Sequence, residues 1–176
     1  MKIEYIILII FLVIIMVIVM EYNELVQSKK KIERNRSLVD TFLKKRYDLI
    51  PNLVEVCKGY SNFEQSTLEN IVKLRASYMR NPMESTGKEL NKAEQNLIML
   101  MENYPDLKAS NQFLNLQKEI TNVENEIQAS RRIYVNSITS YNNLVMRFPS
   151  SLIAKMIGFS EEKLPRYEYD EVHVKF

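Results

Sequence analysis

An unbroken apolar run from Ile3 to Met20 constrains this chain more than any other feature. Its one charge is Glu4, a turn inside its outer edge. As a helix rising about 1.5 Å per residue it is about 27 Å long, close to the hydrocarbon thickness of a bilayer. A cleaved signal peptide is the competing reading. Such peptides usually carry a shorter apolar region, roughly 7–15 residues, ending at small residues of the A-x-A type. Val19-Met20-Glu21-Tyr22 offers no small residue, and no cysteine follows at once to accept a lipid. The run therefore reads as a retained anchor over residues 1–21, touching the lipid bilayer through residues 3–20.

The flanks give an orientation. Lys2 alone precedes the run, with Glu4 partly offsetting it, whereas Lys29, Lys30, Lys31, Arg34 and Arg36 follow it. Acids weigh little in the positive-inside rule, so Glu21 and Glu24 do not cancel this bias. The expectation is a single-pass protein of the cell membrane, N-terminus outside and C-terminal domain cytoplasmic.

The remaining chain, about 150 residues, is enough for one domain with a modest core. It is poor in Gly and Pro and has no Trp, a balance that favours helices. A formal charge of +2, with bases interleaved among acids, argues against nucleic acid as a partner. The lone Cys57 excludes an internal disulfide, and the lone His173 excludes a His or His/Cys metal cluster. No Asp-rich loop, paired E-x-x-H motif, phosphate loop or nucleophile elbow appears, so no cofactor, metal or catalytic residue is expected.

Apolar residues follow heptad rows. Leu25, Ile32, Val39, Leu53 and Tyr60 recur along a first helix that continues out of the membrane, with Arg46 interrupting the row. Phe42, Leu49, Val56 and Phe63 form a second row, preceded by Ser28 and Asn35. Pro51 removes one backbone donor and frees the carbonyl of Tyr47. It either bends this helix or opens a new one. Ser61-Asn62-Phe63-Glu64 has capping-box spacing for helix two, whose stripe is Leu68, Ile71, Val72, Leu74 and Tyr78. Helix three carries Leu90, Leu97, Ile98, Met101 and Tyr104 up to Pro105. In helix four, after the cap Ser110, Phe113, Ile120, Ile127, Tyr134, Tyr141 and Phe148 repeat by sevens, flanked by Leu116, Val123, Ser130, Ser137 and Leu144. Pro149 ends it after about 38 residues.

The expected fold is all-α: an N-terminal transmembrane helix continuous with an elongated antiparallel four-helix up-and-down bundle, plus a short C-terminal helix. The expected limits are residues 22–159 for the bundle and 160–176 for a tail. In this topology helix four returns Phe148 toward the bilayer.

The segments Arg46-Tyr47-Asp48-Leu49-Ile50-Pro51-Asn52-Leu53-Val54 and Gly59-Tyr60 resemble the LemA family of bacterial membrane proteins. The resemblance continues through Tyr104-Pro105-Asp106-Leu107-Lys108-Ala109, Asn111-Gln112-Phe113-Leu114 and Ala129-Ser130-Arg131-Arg132-Ile133-Tyr134. It closes on Tyr141-Asn142, Arg147-Phe148-Pro149 and Gly158-Phe159. Ser130 stands where the family often has a second alanine, and Ser150-Ser151 replaces the common G-N. The resemblance implies a membrane helix, a small outside N-terminus, a cytoplasmic helical bundle and no established catalytic activity.

Arg46, Asp48, Pro51, Asn52, Arg131 and Arg132 form the candidate structural polar motif. Arg46, on a seam position, is either exposed by a local twist or buried against Glu124 or Asp106, where it would fix register more than stability. A ligand-binding arginine is the alternative. At most one of Arg131 and Arg132 faces the seam. Asn52, Asn111, Gln112, Asn136 and Asn142 suit an internal polar network, and Cys57 suits a small core residue. Leu152, Ile153, Met156, Ile157 and Phe159 either cap the bundle or contact the membrane.

Two functional readings follow. The first is a non-enzymatic, membrane-anchored scaffold or adaptor that presents a cytoplasmic helical rod to an unidentified protein partner or self-associates. The alternative is a signalling or membrane-stress module whose C-terminal amphipathic segment engages lipid.

Overall fold

The computed structural model describes residues 2–59, 65–82, 84–101 and 103–165. All regular structure among them is α-helical: α1 (Lys2–Asp48), α2 (Ile50–Lys58), α3 (Gln65–Arg80), α4 (Glu84–Met101), α5 (Pro105–Lys108), α6 (Asn111–Met146) and α7 (Ser150–Ile157). The all-α expectation holds. The capping box at residues 61–64 and the heptad positions Tyr60 and Phe63 lie outside the described residues.

Every side chain from Ile3 to Met20 is exposed, and the helix holding them is long and apolar enough to cross a membrane. The run is rich in β-branched residues, which are indifferent helix formers in water. Hydrocarbon changes that balance, because a lone segment satisfies its backbone there only as a helix.

Two compact units follow from the contacts, one of residues 1–39 with 129–176 and one of residues 40–128. α1 and α6 contribute to both. In the first, Leu25, Ile32, Ile138, Tyr141, Leu144, Ile153 and Ala154 form the core, with Tyr134, Val145 and Phe159 against it. Asn35, Ser130 and Ser137 are also buried. Ser137 turns its hydroxyl back to the Tyr134 carbonyl, 2.6 Å away, so a polar side chain sits on the heptad row without an unmet donor.

The residues after α7 are fastened to α6. Asn142 donates from Nδ2 to the Glu162 carbonyl and accepts the Glu162 N–H on Oδ1, both at 2.9 Å. Lys29 lies 3.6 Å from the Glu162 carboxylate and its ammonium stands 5.5 Å from the centre of the Phe159 ring.

The second unit packs Tyr47, Leu49, Ile50, Leu53, Val54 and Cys57 against Leu68 and Ile71 of α3, Leu90, Leu97 and Met101 of α4, and Leu107 of α5. Phe113, Leu116, Val123 and Ile127 of α6 complete it. Each fully buried Leu or Ile stabilises by about 1.5–3 kcal/mol in transfer terms, so this cluster is the unit's main source of cohesion. Ser110 caps α6 as expected, its Oγ accepting the Phe113 N–H at 3.2 Å.

Pro51 opens a new helix. α1 stops at Asp48, the Leu49 N–H bonds the Arg46 carbonyl at 3.1 Å, and Pro51 falls in the first turn of α2, where no donor is required. Phe148 departs from its heptad row and is 75% exposed. α6 ends at Met146, and the turn through Arg147 and Pro149 takes the chain out of helical phase before Phe148 can reach the seam.

Candidate functional site

Arg46 interrupts the heptad row, and of the two expectations for it, exposed by a twist or buried with a partner, the structure has the second. Its side chain is 10% exposed; Nε lies 3.0 Å from Glu94 Oε2 and Nη1 lies 3.1 Å from Glu124 Oε2. Glu94, on α4, has a fully buried side chain, whereas Glu124, on α6, keeps partial access to water. Three helices are thus tied at one guanidinium. Burial works against the charged arginine, but Glu94 and Glu124, helped by Tyr47, more than compensate and hold Arg46 above its ordinary range. Glu94 moves the same way for a different reason. Burial raises its carboxyl, Arg46 pulls it back, and the neighbouring Glu124 charge adds to the rise.

Such a triad gains little net energy over an apolar cluster, because desolvating three charges cancels most of their attraction. Its geometry is specific, however. Sliding α4 by one residue would strand the buried Glu94 carboxylate, and sliding α6 would part Glu124 from the guanidinium, so the arrangement favours one packing of the three helices.

A second arginine anchors the end of α1. Arg75 of α3 donates from Nε to the Tyr47 carbonyl at 2.8 Å and from Nη2 to Asp48 Oδ1 at 2.9 Å. Tyr47 is itself buried; its hydroxyl donates to Asn91 Oδ1 at 3.0 Å and its ring meets Tyr78 edge-on, centres 4.7 Å apart. Gly87 passes close above this pair, and a Cβ there would come within 3.1 Å of the Tyr78 ring.

The remaining candidates separate. Asn52 and Arg132 are exposed and Arg131 is half-buried, consistent with their helical spacing. Asn111, Gln112 and Asn136 also lie on the surface, which corrects the expectation of an internal amide network. Of that set, Asn142 is engaged as described above. Of the two acids expected opposite Arg46, Glu124 is paired with it, together with Glu94. Cys57 is fully buried, and burial pushes its thiol up to about 11. Of the C-terminal apolar set, Ile153 packs into the core and Phe159 is half-buried, while Leu152, Met156 and Ile157 face outward.

Glu94 and Arg75 have no distinguishing sequence signal. Each sits in an ordinary polar stretch of its helix, and only the relative placement of α1, α3 and α4 selects them. Two shallow grooves accompany these features. One, of about 430 Å³, runs between α3 and α4 past Leu74, Ala93, Asn96 and Leu100. The other, of about 710 Å³, lies between α1 and α6 and is lined by Lys30, Lys31, Arg34 and Arg147 among others. Neither is lined by Arg46 or Glu94.

The chain is 28% identical over 159 residues to Protein LemA of Metamycoplasma hominis, an alignment covering 84% of this chain and 73% of that protein. The LemA family model matches residues 35–176, a region that contains the Arg46 triad, the Arg75 anchor and α7. With a membrane-length apolar helix ahead of an all-α domain that carries the family's motifs in order, the chain belongs to the LemA family.

Proposed function

We propose that this protein is a non-enzymatic, membrane-anchored helical scaffold that holds its α3–α4 face toward a protein partner in the cytoplasm. The observation that carries the reading is the Arg46–Glu94–Glu124 triad. The helix that bears the apolar span reaches to Asp48, and its last turn is fixed to α4 and α6 through a buried guanidinium. Buried charge spent on helix register suits a body whose value is a defined surface. The groove between α3 and α4 offers Leu74 and Leu100 beside Asn70 and Asn96, a mixed surface of the kind that accepts the side of another helix.

Chemical cross-linking in native membranes, read by mass spectrometry, tests the partner. The scaffold reading expects the same foreign peptides, in repeated experiments, joined to the exposed Lys73 and Lys92 that flank this face. Recovery of links within the chain alone would sink it. Links between two copies would assign the partner as a second molecule of the chain.

The basic flank Lys29 to Arg36 supports a cytoplasmic domain. Glu119→Cys, at an exposed position of α6, is a suitable reporter. An impermeant maleimide should label it only after the membrane is opened; labelling of intact cells would reverse the orientation.

A further inference from the structure

α7 begins beside the point where α1 leaves its apolar span. Ser150 Oγ lies 2.5 Å from Oε2 of Glu21, the residue directly after Met20. Arg147 stands 3.7 Å from Glu24 a turn further on, and Ile153 and Ala154 share a core with Leu25. These contacts place the short helix at the level of the span's inner end.

The eight residues of α7 divide by face. Ser150, Ile153 and Ala154 point into the protein and are buried. Leu152 and Met156, four residues apart, point away and are 57% and 86% exposed. Phe148, just before the helix, and Ile157 near its end are exposed as well. Gly158 terminates the helix in the left-handed region at φ 83°, and the Phe159 N–H returns to the Ala154 carbonyl at 2.9 Å. The outward face is therefore held in place from both ends and stays exposed among the described residues.

Water is a costly neighbour for four large apolar side chains on so short a segment. The neighbour available at that level is the acyl–headgroup boundary of the bilayer holding the span. Amphipathic segments bury an apolar face in that boundary to a depth of about 5–10 Å. Lys155 and Arg147 flank the face with long side chains able to reach headgroup phosphates, and Tyr22 on α1, 42% exposed, is the aromatic type favoured at this depth.

We propose that Phe148, Leu152, Met156 and Ile157 form a second membrane contact, seating α7 in the inner interface of the same bilayer that α1 crosses. This rests on α1 being a membrane anchor, and is independent of which protein the α3–α4 face meets. The contact gives α1 a depth stop, because the span can neither sink nor rise without moving the seated helix.

Depth-dependent quenching on the full chain tests this. The chain is reconstituted into vesicles of phosphatidylcholine and phosphatidylglycerol, with single substitutions Val17→Cys, Met156→Cys or Glu119→Cys carrying an environment-sensitive fluorophore. The unsubstituted chain, with its buried Cys57, supplies the background. The label at 156 is expected to shift to shorter wavelength and lose most of its emission to lipids bearing a nitroxide near the headgroup. At 17 it should respond to deeper nitroxides, and at 119 to neither. Quenching at 17 with a water-like label at 156 would overturn the second contact and leave the anchor standing. Water-like labels at both positions would remove the anchor, and this proposal with it. A further arm reads the same label at Ile157→Cys in the Leu152→Asp/Met156→Asp variant: loss of its lipid quenching supports the seating, and unchanged quenching refutes the role of those two side chains.

Discussion

Arg75 donates from Nε to the carbonyl of Tyr47 at 2.8 Å, an acceptor in the last turn of α1, just ahead of Pro51, which brings no backbone donor. The carbonyl belongs to α1 and the guanidinium to α3, so the end of one helix becomes a fastening for another. The same guanidinium also holds Asp48.

Arg75→Ala should destabilise the second unit by about 1–2 kcal/mol, chiefly by removing the part-buried hydrogen bond to the Tyr47 carbonyl, since the half-exposed Asp48 pair adds little. Pro51→Ala supplies a backbone donor near that carbonyl. In this background the cost of Arg75→Ala should shrink, and a double-mutant cycle by chemical denaturation reads the coupling. Equal costs in both backgrounds would show that the two residues act separately. Arg75→Lys should recover only part of the loss, because an ammonium lacks the fork that reaches both acceptors.

Arg46→Met should cost about 3–5 kcal/mol, the range for removing one partner of a buried charge pair, because Glu94 is left desolvated and unpaired. Adding Glu94→Leu and Glu124→Met should recover most of that stability. If the triple variant is as unstable as the single one, packing volume and not stranded charge governs the site. The exposed Lys45–Glu126 pair, 2.9 Å apart, serves as the control, and its removal should change stability by less than about 1 kcal/mol.

Glu94 also gives a pH signature. Burial holds its carboxyl above the ordinary 4.5, so the folded protein binds this proton more tightly than the unfolded chain does. The associated stability is complete below that value and is lost as pH rises through the folded-state pKa. Glu94→Gln does not titrate. The midpoint of thermal unfolding of the parent, relative to Glu94→Gln, should therefore be highest below the ordinary 4.5 and fall as pH rises above it. A difference that grows with pH would reverse the assigned direction.

Cys57 should be nearly inert in the folded protein. Its thiol is displaced from 9.0 to about 11, which lowers the thiolate population about a hundredfold at neutral pH, and burial hinders access besides. Reaction with a coloured disulfide reagent should be slowed at least about a hundredfold relative to the chain in denaturant. Rapid labelling without denaturant would show that the α2 core opens readily.

Much of the helical layout is legible in the residue order because the heptad rows are regular. Leu25, Ile32, Val39 and Leu53 in α1–α2, and Phe113, Ile127 and Tyr141 in α6, are buried as their spacing requires. The cap Ser110 is legible for a similarly local reason, whereas Glu124 is one of two acids, with Asp106, between which spacing does not choose. Glu94 and Arg75 are not, because periodicity reports which face of a helix is buried and not its height against a neighbour. Phe148 misleads for the opposite reason: it keeps the period after the helix that generates the period has ended. The exposed amides misread as a network show the same limit, since an asparagine carries no sign of whether it faces protein or water.

Asn142 has a consequence for how the chain can be shortened or altered. Its side chain meets Glu162 as a neighbouring strand would, giving one hydrogen bond and taking one, so a single amide stands in for a sheet edge in a region built of helices. An aspartate of nearly the same shape offers no donor, and a leucine offers neither group. A chain cut after Lys163 keeps this clasp and the ion pair to Lys29, whereas a cut after Phe159 removes both. Four residues thus separate a trimmed protein with its end tied down from one whose end is loose.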